Sequence, residues 1–401
     1  MALHAVDARA GVRRIWAVND GEKVERDARD HPARLRNSAW DGHAVHLSGA
    51  RNEVVAFQVI VEADDRGIDR LSLRLPELAS GADRITYRPP AADPTDYVGR
   101  PIEIFTVHYM HVTTPSHASW VYEPGSAAAP KDPTGWKPVQ LVPENARAGR
   151  GGLPIAVSRN ENQAIWIEIY IDRVRVPGLY RGTIQIQAGT SRRTLPIDLE
   201  VFDFTLPDEN SMHAMLFYSS DQPERYQGRN LDAAYDRLAH RHRVELVHEY
   251  DEQTLTQAIG RFTGADFTRE HGYEGPGMGV GKVIAPRSFY GPDPAFEDRA
   301  AAWRLSDAWM TFLHENVPHA ITFLYMPDEP RAPQYPHILK LADNVHSNPG
   351  PGRALPIFVT SAYVDALDPA IDIWCAGPLG FRIDRAAAER ARGREFWFYN
   401  G

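Results

Sequence analysis

The chain has 401 residues, 43% of them hydrophobic and 24% charged, with a formal net charge of −9. That length exceeds one ordinary core and predicts two domains, and the balance of residue types excludes a disordered or collagen-like chain. The negative charge excludes, on average, a polyphosphate backbone or an anionic membrane as partner, while a neutral sugar meets no such barrier.

From about residue 10 to 205 the pattern is β. Val54 to Val61 is a β-rich run ending at the turn cluster Asp64-Asp65-Arg66-Gly67, and Leu71, Leu73 and Leu75 alternate with polar neighbours. Ile102 to Val107, Ile165 to Ile171, Thr183 to Gln187 and Leu195 to Phe204 continue the alternation, with Pro177-Gly178 and Gly189 as turns. Short strands punctuated by turns predict an N-terminal antiparallel β-sandwich over 1–207. Residues 114–155, rich in Pro, Gly, Ala and Ser, read as a long loop.

Beyond Leu206-Pro207-Asp208 the pattern changes. Strand-like runs at 212–218, 244–250, 280–284, 321–325, 356–360, 371–374 and 395–399 alternate with helical spacing at 231–242, 300–315, 336–346 and 385–392. Alternating strands and helices predict an incomplete (β/α)8 TIM-type barrel over 208–401, short of the roughly eight strands a closed ring needs. Phe396 and Phe398 would then lie on an unpaired edge. Either a second copy of the chain or a further C-terminal segment would complete it.

In such a fold the working residues sit at the C-terminal ends of strands. Those ends supply Tyr218, His248, Tyr250, Tyr325, Tyr363, Trp374, Tyr399 and Asn400 as candidate substrate-binding groups. Asp328-Glu329 stands out because it follows an apolar strand directly and is bracketed by Pro327 and Pro330, which restrict the local backbone. Two adjacent carboxylates in a cleft would separate their proton affinities, leaving a proton donor beside an anion, and glycoside hydrolysis needs such a donor for its leaving oxygen. The same dipeptide can instead start a helix, with Asp as N-cap.

Asn162 to Glu168 and Pro177-Gly178-Leu179-Tyr180-Arg181-Gly182, with Arg51-Asn52-Glu53 and Gln58 before them and Tyr325 to Pro330 and Glu395 to Tyr399 after, resemble glycoside hydrolase family 123. The resemblance runs from about residue 12 to the end. It implies a sandwich followed by a barrel, and a retaining exo-β-N-acetylgalactosaminidase that uses the substrate's own 2-acetamido group as nucleophile. Carried over, Asp328 orients the acetamido nitrogen and Glu329 is the acid and then the base. Tyr363 is placed by position toward the acetamido oxygen. The resemblance implies no cofactor or metal. A retaining glycosidase for another sugar, with Asp365 or Glu249 as nucleophile, and an inactive carbohydrate-binding relative remain as alternatives. The late strand ends Trp374 to Gly377 and Phe398 to Asn400 carry no carboxylate, which favours substrate assistance.

Other signals carry less. The glycine-rich stretch His271 to Lys282 lacks the P-loop and dinucleotide spacings and reads as a mobile active-site loop with Tyr273 and Lys282 within reach of substrate. His240, His242 and His248 lack a metal-ligand frame. Ser219-Ser220 lacks a nucleophile elbow. The arginines of 385–394 read as a solvated helix face. Cys375 is the only cysteine, so no internal disulfide forms. Met1 to Trp16 shows no signal peptide, and no apolar run is long enough to span a membrane, so a cytoplasmic location is expected, with secretion left open.

Overall fold

The computed structural model describes residues 11–114 and 134–399. They form two compact units, one from residues up to 208 together with 274–276, the other from 209–273 and 277 onward.

The first unit is built from β1 (Val12–Asn19), β2 (Val45–Arg51), β3 (Glu53–Ala63), β4 (Ile68–Arg74), β5 (Glu77–Ser80), β6 (Asp83–Thr86), β7 (Ile102–Val112), β8 (Gly135–Pro143), β9 (Ile155–Val157), β10 (Asn162–Ile171), β11 (Gly178–Ala188) and β12 (Ser191–Thr205). One sheet has the order β1-β3-β10-β7-β8 and the other the order β2-β12-β11-β4-β9, with β5 and β6 attached through β11. Period-2 burial explains the layering. Leu195, Ile197, Leu199 and Val201 of β12 point inward with Tyr180, Ile184 and Ile186 of β11, and they share one apolar core with Phe57, Val59 and Val61 of the other sheet. The second sheet is not wholly antiparallel, because β2 runs parallel to β12. Part of the stretch expected as a loop is strand: β8 pairs with β7. Residues 115–133 of that stretch lie outside the described residues.

Two of the segments singled out in the sequence hold corners of this unit. Asn52 turns the chain between β2 and β3 at φ +64, a left-handed conformation that Asn tolerates better than most residues. Its amide donates to Leu206 O at 2.9 Å and accepts from Tyr170 Oη at 3.1 Å. Gly178 opens β11 at φ +138, and the buried Tyr180 hydroxyl donates to Val176 O at 2.8 Å, closing the same turn.

The second unit corrects the predicted architecture. It contains β13 (Met215–Phe217), α1 (Asp221–Gln227), α2 (Asp232–Arg241), β14 (Glu245–Val247), α3 (Glu252–Gln257), α4 (Ile259–Thr263), α5 (Arg299–Asn316), β15 (Leu324–Tyr325), α6 (Tyr335–His346), β16 (Ile357–Val359), β17 (Ile373–Ala376), α7 (Ile383–Ala391) and β18 (Glu395–Phe398). These strands form a two-stranded parallel sheet, β13-β14, and a separate four-stranded parallel sheet, β15-β16-β17-β18, rather than the ring of an incomplete (β/α)8 barrel. The expected strand at 280–284 is the physical gap. Among the described residues it contributes only an isolated bridge, Ile284 to Ile321. The residues before it are glycine-rich, with Gly272, Gly277 and Gly279 at positive φ, a backbone that cannot pleat.

The four-stranded sheet is apolar on both faces, as parallel sheets are. Leu324, Met326, Ile357, Val359, Trp374, Ala376 and Phe396 pack with Trp309 and Leu313 of α5 and Ile338 and Leu341 of α6. Phe323, Tyr325, Phe358, Ile373 and Cys375 face the other way, joined by Trp397 and Tyr399. α5 is capped by Asp298, which accepts from Ala301 N at 2.8 Å, and α6 has proline in its first turn. Phe396 is buried, whereas Phe398 is exposed on the edge strand. Among the described residues no helix is long and apolar enough to cross a membrane.

Candidate active site

Asp328 and Glu329 leave the C-terminal end of β15 as an exposed bend. They do not cap a helix. The next helical turn is a 3-10 turn at Ala332–Gln334 with Arg331 before it, and α6 starts only at Tyr335. Glu329 has φ +42. For a residue with a Cβ that conformation costs on the order of 1–3 kcal/mol and persists only where surrounding contacts enforce it. Pro330 contributes by disfavouring the right-handed helical alternative at the residue before it.

Three hydroxyls hold the pair. Tyr325 Oη donates to Asp328 Oδ1 at 2.8 Å, and Thr360 Oγ1, just past the end of β16, donates to the same oxygen at 2.7 Å. Thr360 Oγ1 also accepts the Glu329 N–H at 2.8 Å. Tyr399 Oη, beyond β18, donates to Glu329 Oε1. Burial first, and then the hydrogen bond to a carboxylate, raises both tyrosines well above the ordinary phenol value, so each remains a donor at any working pH. Three strands of one parallel sheet, β15, β16 and β18, thus deliver Tyr325, Thr360 and Tyr399 to one spot.

An aromatic surface adjoins this spot. Tyr290 is 55% exposed, sits at φ +56, and packs 5.6 Å from Tyr325 and 5.1 Å from Phe217, ring centre to ring centre. Exposed rings beside fixed polar groups suit the C–H face of a sugar. Neither Thr360 nor Tyr290 was singled out in the sequence. The cue for Thr360 was available, a hydroxyl residue ending the strand next to β15. Tyr290 follows no regular strand and offered none.

The other candidate residues fall elsewhere. Tyr363 and Trp374 belong to the helix-facing side of the sheet, with ring centres 5.0 Å apart. Tyr363 Oη donates to Asp368 at 3.0 Å and its ring lies under the Arg385 guanidinium at 3.6 Å, so neither it nor Trp374 joins the pair. The arginine run around them is not a plain solvated face. Arg392 and Arg394 both bind Asp368, and both approach the fully buried Glu389. Asn400 lies outside the described residues.

Tyr218, His248 and Tyr250 assemble around a second polar group. Tyr218 Oη donates to Asp232 at 2.8 Å, and Arg261 Nε lies 2.6 Å from Asp236 Oδ2. Lys282 Nζ donates to Asp236 Oδ1 at 2.5 Å. Lys282 and Tyr273 are therefore buried structural groups rather than arms of a mobile substrate loop. Tyr250 is 1% exposed and packs edge-on against His248. His240 stacks on Phe267 and bonds Gly277 O, and among the described residues no three His, Cys, Asp or Glu side chains gather to hold a metal.

Burial, with the nearby Arg261 charge adding to it, holds the His248 imidazole below its ordinary value. The folded chain then binds fewer protons than the unfolded chain as pH falls through the ordinary histidine value of about 6.5, so the associated stability is whole above that pH and is lost below it. Thermal melting of the protein is expected to fall between about pH 7.5 and 5.5, and to fall less in His248→Gln. An equal fall in both proteins would assign the effect to other groups.

No family model matches the chain, and no curated protein matches it. Among solved structures, a family 123 glycoside hydrolase from Clostridium perfringens, studied for glycolipid glycan hydrolysis, superposes with TM-score 0.62 and 12% identity over 96% of this chain and 72% of that one. A β-glucuronidase from Parabacteroides merdae aligns with TM-score 0.22 and 11% identity over 86% of this chain and 38% of that one, too low for a shared fold. At 12% identity, what the first likeness carries is the fold: this chain is folded similarly to a family 123 glycoside hydrolase.

Proposed function

We propose that the chain is a retaining glycoside hydrolase acting on a terminal β-linked 2-acetamido-2-deoxy sugar, N-acetylgalactosamine in the first instance, by substrate assistance. The observation that carries this reading is the hydroxyl-anchored carboxylate pair, because it offers two oxygens of different duty side by side. Asp328 Oδ1 is engaged by two donors, which leaves Oδ2 to accept the acetamido N–H. Glu329 Oε1 is engaged by Tyr399, which leaves Oε2 for the glycosidic oxygen.

In the first step the acetamido carbonyl oxygen bonds to the anomeric carbon as the bond from that carbon to the leaving oxygen breaks. Glu329 gives its proton to the leaving oxygen. An oxazolinium ion results, its N–H held by Asp328. In the second step Glu329 takes a proton from water, whose oxygen bonds to the anomeric carbon and reopens the ring, so the configuration is retained. The fold likeness to a family 123 enzyme supports this reading.

A panel of aryl β-glycosides tests it. The 2-acetamido members are expected to be cleaved and the 2-hydroxy members not, with a thiazoline analogue of the intermediate inhibiting competitively. Cleavage of 2-hydroxy glycosides at comparable rates would require an enzymic nucleophile or direct attack by water, and would remove substrate assistance from the account.

A further inference from the structure

We infer that Thr360 is the positioning residue of the carboxylate pair: its single hydroxyl sets the separation and handedness of Asp328 and Glu329, and so governs turnover more than affinity. The inference rests on the hydrolase reading above and adds a residue that touches no substrate.

The geometry is specific. Thr360 Oγ1 accepts from the backbone of one member of the pair, Glu329 N at 2.8 Å, and donates its proton to the side chain of the other, Asp328 Oδ1 at 2.7 Å. A hydroxyl can do both at once, one lone pair and one O–H, whereas an amide or carboxylate in the same place would supply only one function per atom. Thr360 is 6% exposed, so neither bond is exchanged freely with water. It follows directly on β16, the strand beside β15, whose register fixes Tyr325 opposite Phe358, two residues before Thr360. The anchor is thus carried by the sheet and not by the bend it holds.

The bend needs an anchor. Glu329 sits in the left-handed region at φ +42. Without the bond to its N–H the backbone is free to relax toward an extended conformation, which swings the Glu329 carboxylate away from Asp328. Tyr325 still bonds Asp328 in that case, and Tyr399 still bonds one Glu329 oxygen, but neither bond fixes the Glu329 backbone, so the two carboxylates lose their fixed relation while Asp328 stays near its place. Acid and orienting groups that drift by about 1 Å lose on the order of 100-fold in rate.

The test compares wild type, Thr360→Val and Thr360→Ser for kcat, KM, pH profile and melting temperature on an aryl N-acetyl-β-galactosaminide. Valine keeps the volume and removes both bonds, and serine keeps both. Thr360→Val is expected to lose about 100-fold in kcat with KM within about 3-fold of wild type, and Thr360→Ser to recover most of the loss. Wild-type kcat in a folded Thr360→Val overturns the inference and leaves the hydrolase reading standing. Loss in both variants, scaling with the drop in melting temperature, also overturns it, since that is the mark of a plain structural role. Should the valine variant not fold, Thr360→Cys, which weakens both bonds at similar volume, is judged by the same outcomes. If wild type cleaves no glycoside, the hydrolase reading fails separately. Crystal structures of wild type and variant then decide the anchor: a shifted Glu329 backbone supports it, and an unchanged left-handed Glu329 overturns it.

Discussion

Glu329→Gln is expected to lower kcat/KM on an aryl N-acetyl-β-galactosaminide by about 10²- to 10⁴-fold, the range a positioned general acid contributes. Glutamine keeps the shape and the acceptor oxygen that Tyr399 Oη addresses, so the fold and the bend should survive. What is lost is the proton for the leaving oxygen. That loss has a signature a misfolded variant lacks: it shrinks as the leaving group improves. With a dinitrophenyl aglycone, which departs without protonation, the first step should approach wild type, and hydrolysis of the oxazolinium ion, where Glu329 serves as base, becomes limiting. Asp328→Asn should fail differently. Its Oδ1 now receives two hydroxyl protons, from Tyr325 and Thr360. Asparagine can keep its oxygen there only by turning its NH2 toward the acetamido N–H, donor against donor, so the defect should persist whatever the leaving group. A Glu329→Gln enzyme equally impaired on every aglycone would refute the assignment of the acid.

The pair itself was legible in the sequence, but the reason it is held was not. Asp328-Glu329 announced itself by following an apolar run and lying between two prolines. Its partners come from other strands, and contacts across parallel strands depend on a register that one sequence does not state. Tyr399 was singled out only as a strand end that would meet substrate, and its bond to Glu329 was not foreseen. Local periodicity served well where elements are long. The inward residues of β12 and the apolar stripes of α5 and α6 lie where the spacing placed them. It also located the short strands β13 to β18, each of which overlaps an expected run, but runs of two to four residues say nothing of how they pair. That is why the helix-strand alternation after residue 208 suggested a ring, while the structure has two separate parallel sheets. Tyr363 and Trp374 show the same limit at side-chain level. Both lie near strand ends, yet on a buried strand neighbouring residues face opposite ways, and these two face the helices.

Asp236→Ala is expected to destabilise the second unit by about 3–5 kcal/mol, the usual cost of stripping one member from a buried ion pair. Asp236 and Lys282 are each 2% exposed, and Lys282 Nζ lies 2.5 Å from Asp236 Oδ1, with Arg261 Nε 2.6 Å from Oδ2. Removing the carboxylate leaves one buried ammonium and one largely buried guanidinium facing each other, so the penalty is dominated by the uncompensated charge and not by the lost bonds. A second substitution separates these terms. Lys282→Met in the Asp236→Ala background removes the stranded charge at similar volume and should restore a substantial part of the loss, although it deletes a further contact, that of Nζ to Leu246 O on β14. Chemical denaturation of the wild type, the two single variants and the double variant supplies the cycle. Additive losses in the double variant would mean that the group acts as independent contacts. Recovery means that α2 and the glycine-rich segment are joined by charge balance, which explains why a lysine at the end of a run of glycines is turned inward and is not offered to substrate.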